Sequence, residues 1–244
     1  MQPNHSELPL AQDPTPASTQ LQHLNSRLHQ MLSDASLAWQ KLPQCPEIGL
    51  WLLDPALMQR SFSSDEIARI QAYPAYWAFC WASGQRLAAY LLHNQSLVAG
   101  KKVLDFGAGS GVAGIAAAKA GAAEVVFCDI DQDAIDASLL NAQANAQEAI
   151  CRTSHDVFAL QETFDVVLAA DVLYDRANLP LLDHLLRLGR DVWVADSRIR
   201  DFSRPGFSKV MTAESFTMPD LDESCEFRRV TLYRGALYHE KLAD

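Results

Sequence analysis

Paired cysteines are missing from this chain. The five present stand apart at positions 45, 80, 128, 151 and 225, with no C-x-x-C among them. That excludes a disulfide framework and a thiolate zinc site, and no other spacing suggests a metal ion. Cys128 lies inside an apolar run and reads as a buried, inert thiol. Long apolar runs are missing too; none approaches the roughly 18–20 residues that cross a bilayer. Met1-Gln2-Pro3-Asn4-His5-Ser6-Glu7 lacks the basic start and apolar core of a signal peptide. These absences lead us to expect a cytoplasmic chain with no membrane partner. Positive charge is also scarce: 20 Lys and Arg face 30 Asp and Glu, for a net charge of −10. A broad phosphate-backbone interface needs the opposite sign, so no nucleic-acid partner is expected.

The chain has 244 residues, 49% of them apolar, enough for one α/β domain with an appendage and cramped for two. A monomer is expected. Residues 1–20 are rich in Pro, Gln, Asn, Ser and Thr and read as a flexible segment. Leu21, Leu24, Leu28, Met31 and Leu32 then recur at helical spacing, predicting a helix from about Gln20 to Gln40. We take 21–95 as a helical extension packing on a core of 96–244. Ala82–His93 reads as a helix with Leu87, Tyr90, Leu91 and Leu92 turned inward.

From position 102 the pattern alternates. Strands are predicted at Lys102–Phe106, Glu124–Asp129, Ile150–Thr153, Phe164–Ala170 and Asp191–Ala195. Between them lie helices at Gly111–Ala120, Asp133–Asn145 (with Asp131 or Asp133 as N-cap) and Leu179–Leu188, opened by Pro180. This rhythm implies a Rossmann-like α/β fold, a mostly parallel sheet with helices on both faces. In the tail, Arg228–Tyr233 and Ala236–Glu240 flank Arg234-Gly235 and read as strand, bend and strand, an antiparallel end to the sheet.

Asp105-Phe106-Gly107-Ala108-Gly109-Ser110-Gly111 closes the first of these strands with a carboxylate and follows it with three alternate glycines. Such a turn lets a ligand approach bare backbone. Gly109-x-Gly111-x-x-Gly114 also satisfies the dinucleotide fingerprint, a weak signal alone. Asp105 decides between the two readings. Two unit charges ~5 Å apart at an effective dielectric of 20 repel by about 3 kcal/mol, so an acid here opposes a pyrophosphate. S-adenosylmethionine has no phosphate and carries a sulfonium and an ammonium. From Val103 to Asp175 there are twelve acids and two bases, Lys119 and Arg152, which suits that cofactor. Asp129, 24 residues past Asp105, is placed to accept the ribose hydroxyls, with Ile130 against the adenine. Asp156 is placed to accept from the adenine amino group. Gly107, Gly109, Ser110 and Gly111 complete the candidate cofactor set.

The fourth core strand runs into Asp171-Val172-Leu173-Tyr174. With Pro46-Glu47-Ile48, Tyr76-Trp77-Ala78-Phe79-Cys80-Trp81-Ala82-Ser83-Gly84-Gln85, the glycine loop and Cys128-Asp129-Ile130-Asp131, this resembles the seven-β-strand methyltransferases. Within them the likeness is to the D-x-x-Y group of protein lysine methyltransferases, around the electron transfer flavoprotein β-subunit enzymes and their bacterial relatives. It spans roughly Pro46 to Ala195. The resemblance implies that Trp81 lines the cofactor pocket, that Asp171 and Tyr174 hold the acceptor amine, and that the last strand is antiparallel. It implies a protein substrate presenting a lysine. Where such relatives tend to carry D-P-G-R after the fifth strand, this chain has Asp196-Ser197-Arg198-Ile199-Arg200-Asp201-Phe202-Ser203-Arg204-Pro205-Gly206, longer and more basic. N-methylation of a small amine or nicotinamide-like heterocycle is the alternative activity, and a non-catalytic cofactor-binding protein a further one. For a lysine acceptor, Asp171 is expected to orient and balance charge rather than deprotonate. No His is clearly placed as a base; the nearest is His155.

Overall fold

The computed structural model describes residues 19–173, 176–199 and 203–236. Its centre is a seven-stranded sheet. Five parallel strands alternate with helices: β3 (Lys102–Phe106), β4 (Glu124–Cys128), β5 (Cys151–Ser154), β6 (Phe164–Ala170) and β7 (Gly189–Asp196). Two antiparallel strands, β8 (Phe207–Glu214) and β9 (Arg229–Gly235), close one side, giving the order β5-β4-β3-β6-β7-β9-β8. The strand order reverses beside β3, and its end and that of β6 lie at the centre of the sheet, where open α/β sheets bind ligands.

Both faces are covered. The helices α3 (Ala82–His93), α4 (Val112–Lys119) and α5 (Gln132–Ala144) pack on one face. There Val103, Val125, Phe127, Val166, Leu168 and Trp193 meet the small side chains of α4. On the other face α6 (Leu181–Leu188) sets Leu182, Leu185 and Leu186 against Leu104, Val126, Val167 and Val194. Alternate residues of one strand therefore enter different cores, which is why these strands read as unbroken apolar runs.

The extension 21–95 is not purely helical. The helix α1 (Thr19–Met31) buries Leu21, Leu24, Leu28 and Met31 as its spacing predicts, but it ends nine residues before Gln40. A hairpin of β1 (Leu37–Leu42) and β2 (Cys45–Leu53) follows, then α2 (Ser64–Ala72), opened by a Ser63/Glu66 capping box. Gly49 belongs to this hairpin because the Trp39 ring lies across it; a Cβ there would sit 2.2 Å from the ring. The extension packs on α5, where Leu24 and Leu28 share a core with Ala134, Ala137 and Leu140. Arg27 donates to Asp133 at 2.8 Å. Tyr90 and Leu92, expected inward, are half-buried beside the core, whereas Leu87 and Leu91 are fully enclosed.

The tail corrects the bend predicted at Arg234-Gly235. β9 runs straight through both residues, and Arg234 pairs with Asp191 at 2.7 and 2.9 Å. It runs antiparallel to both β7 and β8, which lie upstream of it; of the strand expected over Ala236–Glu240, Ala236 is not in a strand and 237–240 lie outside the described residues, as do 1–18. No helix among the described residues is long and apolar enough to cross a membrane.

Candidate functional site

Five acids stand at or just beyond the C-terminal strand ends, and each accepts backbone N–H groups. Asp105 is 2% exposed, and its Oδ2 accepts from Gly114 N at 2.7 Å. Gly114 is in the first turn of α4, whose N-cap, Gly111, has no side chain to offer. Asp105 thus caps α4 from a neighbouring strand, satisfying one of the orphan donors that open every helix. Burial, reinforced by the charge of Asp129, pushes its carboxyl up to about 7 against the pull of the Gly114 N–H.

Asp129 holds the same loop from the other side. Its Oδ2 accepts from Gly109 N at 3.0 Å and its Oδ1 from Asp131 N at 3.0 Å. Burial raises its carboxyl while these bonds lower it. Asp131 is the N-cap of α5. Gly107, Gly109 and Gly111 all have positive φ (67°, 52° and 80°), the left-handed region that glycine enters without strain. Only Gly109 faces open space: a Cβ there meets nothing nearer than 4.0 Å. One at Gly111 would strike Ser138 at 2.8 Å, and one at Gly107 would strike Val172 at 2.7 Å. Gly109 is therefore where a ligand can approach backbone, and Gly111 serves helix packing. Ser110 is buried, with its carbonyl accepting from Asn141 Nδ2 at 3.0 Å.

Ile130 projects from the end of β4 with 91% of its surface exposed, and Phe158, past β5, is 63% exposed. Both are apolar surfaces fit to lie against a flat heterocycle. Asp156 is exposed, and its Oδ1 is engaged with Phe158 N at 2.8 Å. His155 is likewise exposed.

Asp171 follows β6 with φ 52°, a conformation that Asp tolerates better than most residues. Its Oδ1 accepts from Ser83 Oγ at 2.6 Å and Ser197 Oγ at 3.1 Å, and its Oδ2 from Ser83 N at 3.0 Å. It caps α3, whose own N-cap, Trp81, has no acceptor. Its carboxyl is raised, chiefly by burial, against the three serine hydrogen bonds. Tyr174, its expected partner, lies outside the described residues.

These contacts explain the Trp81–Gln85 run residue by residue. Trp81 is half-buried against Tyr76 and Phe79, its Nε1 donating to Tyr76 O at 3.0 Å. Ser83 binds Asp171. Gly84 lets α3 press on α4, since a Cβ would sit 2.8 Å from Val112. Gln85, fully buried, accepts from Gln44 N and donates to Phe216 O. Trp77, by contrast, is core at 1% exposure.

Four residues missed at the sequence level shape the site: Ser83, Asn141, Ser197 and Asp196. Asn141, fully buried, joins the hairpin to the glycine loop, accepting from Trp51 N at 2.7 Å and donating to Ser110 O. The basic residues described in the loop after β7 are not free. Arg198 pairs with Glu223 and Arg204 with Asp183. The His23, Asp133 and Asp136 side chains lie within 4.8 Å of one another, but Arg27 and Tyr73 already donate to Asp133.

The family model described as ribosomal protein L11 methyltransferase (PrmA) matches residues 86–183, which include the glycine loop, Asp129 and Asp171. Over 168 residues the chain is 38% identical to the electron transfer flavoprotein β-subunit lysine methyltransferase of Mus musculus, covering 67% of this chain and 63% of the relative. The Danio rerio protein of that name is 42% identical over 103 residues, 42% of this chain and 40% of the relative. The ribosomal protein L11 methyltransferase of Cupriavidus taiwanensis is 39% identical over 95 residues, 39% of this chain and 28% of the relative. The chain thus spans between about two fifths and two thirds of the first two relatives' length and less of the third. Residues 86–183 are thus similar to the PrmA methyltransferases, and the chain is similar over the matched stretches to the electron transfer flavoprotein β-subunit lysine methyltransferases.

Proposed function

We propose that the chain is an S-adenosylmethionine-dependent methyltransferase that modifies lysine side chains of a protein, with a substrate like the electron transfer flavoprotein β-subunit. The observation that carries this reading is the convergence of the open Gly109 backbone, the acids Asp105 and Asp129, and Asp171 at adjacent strand ends. The described residues fit the cofactor. Asp129 keeps acceptor capacity beyond its two backbone bonds, Ile130 offers an apolar face, and the acidic surround favours a sulfonium and an ammonium. Trp81 would border the pocket, and Asp156 would accept from the adenine.

When bound, the cofactor supplies an electrophilic methyl on sulfur. The rest falls to the chain: hold the acceptor nitrogen behind that methyl with reacting atoms ~3–3.5 Å apart, and keep its lone pair aligned. Asp171, itself fixed by Ser83 and Ser197, would accept a hydrogen bond from the nitrogen, and Tyr174 would bound the slot. Making a lysine amine neutral near pH 7.4 costs roughly 3 units, about 4 kcal/mol. A cytoplasmic monomer with neither nucleic-acid nor membrane partners completes the reading. The test is transfer of radiolabelled methyl from S-adenosylmethionine into a cell lysate and into purified electron transfer flavoprotein. A labelled protein band carrying methyllysine supports the proposal. Label confined to small molecules refutes the protein substrate, and tight NAD binding without S-adenosylhomocysteine binding refutes the cofactor.

A further inference from the structure

Asp196 ends β7, one strand away from Asp171. The two strand ends are in register, Ala170 opposite Ala195, and Asp171 N donates to Ala195 O at 3.0 Å. Asp196 is 1% exposed. Its Oδ1 accepts from Arg198 N at 2.8 Å and Ile199 N at 2.7 Å. Its Oδ2 is fully buried and has no hydrogen-bonding partner among the described residues. Leaving a carboxylate oxygen in that state costs more than leaving a neutral group so, and it is kept where a ligand or reaction uses it. Next to it, Asp171 is the opposite case: Oδ1 accepts twice and Oδ2 once, from groups of the chain itself.

We infer that Asp196 is the second carboxylate of the acceptor subsite, and that its free Oδ2 takes the proton of the incoming ammonium while Asp171 orients the nitrogen. This rests on the reading above and deepens it. Asp171 alone has a defect for that reaction. An ionised carboxylate beside an ammonium stabilises the charged form and so opposes loss of the proton. A second acid does not lower that cost, but its free oxygen gives the released proton a place to go. The step balances: the ammonium N–H bond breaks, its proton joins Asp196 Oδ2, and the freed lone pair forms the N–C bond. The C–S electron pair leaves with sulfur, and the methylated nitrogen keeps its two remaining protons and one positive charge.

The surroundings suit a proton acceptor. Burial pushes the Asp196 carboxyl up to about 6, with the Asp171 charge adding to the rise and its own backbone bonds opposing it. A base is most effective when it titrates near the working pH. The charged groups acting on it are Asp171 from β6 and Arg198 from its own loop, and Arg198 is held by Glu223 from the segment between β8 and β9.

The test is single-turnover methylation of purified electron transfer flavoprotein by the full chain, across about pH 5.5 to 9 and with cofactor kept saturating at every pH so that Asp105 does not contribute a limb. Wild type, Asp196→Asn and Asp196→Glu are compared, with S-adenosylhomocysteine affinity and melting temperature measured on each. The wild-type rate should fall below about pH 6 as Asp196 becomes protonated. Asp196→Asn should lose that acid limb and turn over at least ~10-fold slower at pH 7.5, about 1.4 kcal/mol, with cofactor affinity unchanged. Asp196→Glu should restore part of the rate, with an acid limb displaced from the wild-type position. An Asn variant with wild-type rate and the same acid limb overturns the assignment of Asp196 while leaving the methyltransferase reading intact. Should the Asn variant not fold, a Glu variant with an unmoved acid limb does the same. A wild-type chain that methylates no lysine in this protein or in a lysate overturns both.

Discussion

Cofactor affinity should depend on pH through Asp105. This carboxylate is enclosed between β3 and α4, and burial lifts it to about 7. A bound ligand carrying an ammonium and a sulfonium favours the ionised form, so binding below pH 7 must first remove a proton. If only ionised Asp105 supports binding, the dissociation constant rises by 1 + 10^(7−pH). Relative to the alkaline plateau, that is about 11-fold at pH 6 and about 100-fold at pH 5, or ~1.4 kcal/mol per unit. Near pH 7, binding should release roughly half a proton. Calorimetry with S-adenosylmethionine, repeated in buffers of different ionisation heat, reads both quantities. Asp105→Asn supplies the control: it keeps a carbonyl acceptor for Gly114 N but cannot titrate, so its affinity should be lower and flat with pH. A wild-type affinity that is constant between about pH 8 and 5.5, or a slope that survives in Asp105→Asn, would refute the argument.

Three further outcomes follow from the same geometry. Asp171→Asn can still accept from Ser83 N through its carbonyl and donate to the serine hydroxyls. It should melt within a few degrees of the parent and bind cofactor normally, yet turn over at least ~100-fold slower, about 2.7 kcal/mol; a fully active variant would remove Asp171 from the chemistry. Gly114→Ala sets two effects against each other: helix propensity gains about 1 kcal/mol, but the new Cβ would lie 2.5 Å from Phe127 and 2.9 Å from Asp105 Oδ2. Overpacking costs of about 1–3 kcal/mol or more should win, lowering the melting temperature and the cofactor affinity together. Asn141→Ala strands Trp51 N and Ser110 O, each with a desolvation cost of about 1–3 kcal/mol; thermal unfolding and calorimetry should both show the loss, and an unchanged cofactor affinity would sever the proposed link between hairpin and loop.

The sequence by itself determined the alternating core and the turn after its first strand. Continuous apolar runs bounded by turn residues mark strands buried on both faces, and that signal is local, so β3, β4, β6 and β7 were found within a residue or two at most ends. Asp105 and Asp129 were legible for the same reason: each stands at the end of a strand, Asp105 within the last two residues of β3 and Asp129 just after β4. The hairpin β1–β2 was hidden because the helical spacing of Leu21–Leu32 invites extension toward Gln40, and nothing local announces that Trp39 will lie across Gly49. The strand β8 was hidden because its exposed edge carries Ser208, Lys209 and Val210 with no clean alternation. Tertiary structure alone decided how the acids are held. Asp171 caps a helix through Ser83, 88 residues earlier in the chain, Asn141 ties a hairpin to a loop, and Asp196 is left with one oxygen unpartnered among the described residues. Such contacts join residues far apart in sequence, and their distances depend on which strands the sheet sets side by side; no periodicity or spacing encodes that, so only the assembled fold discloses it.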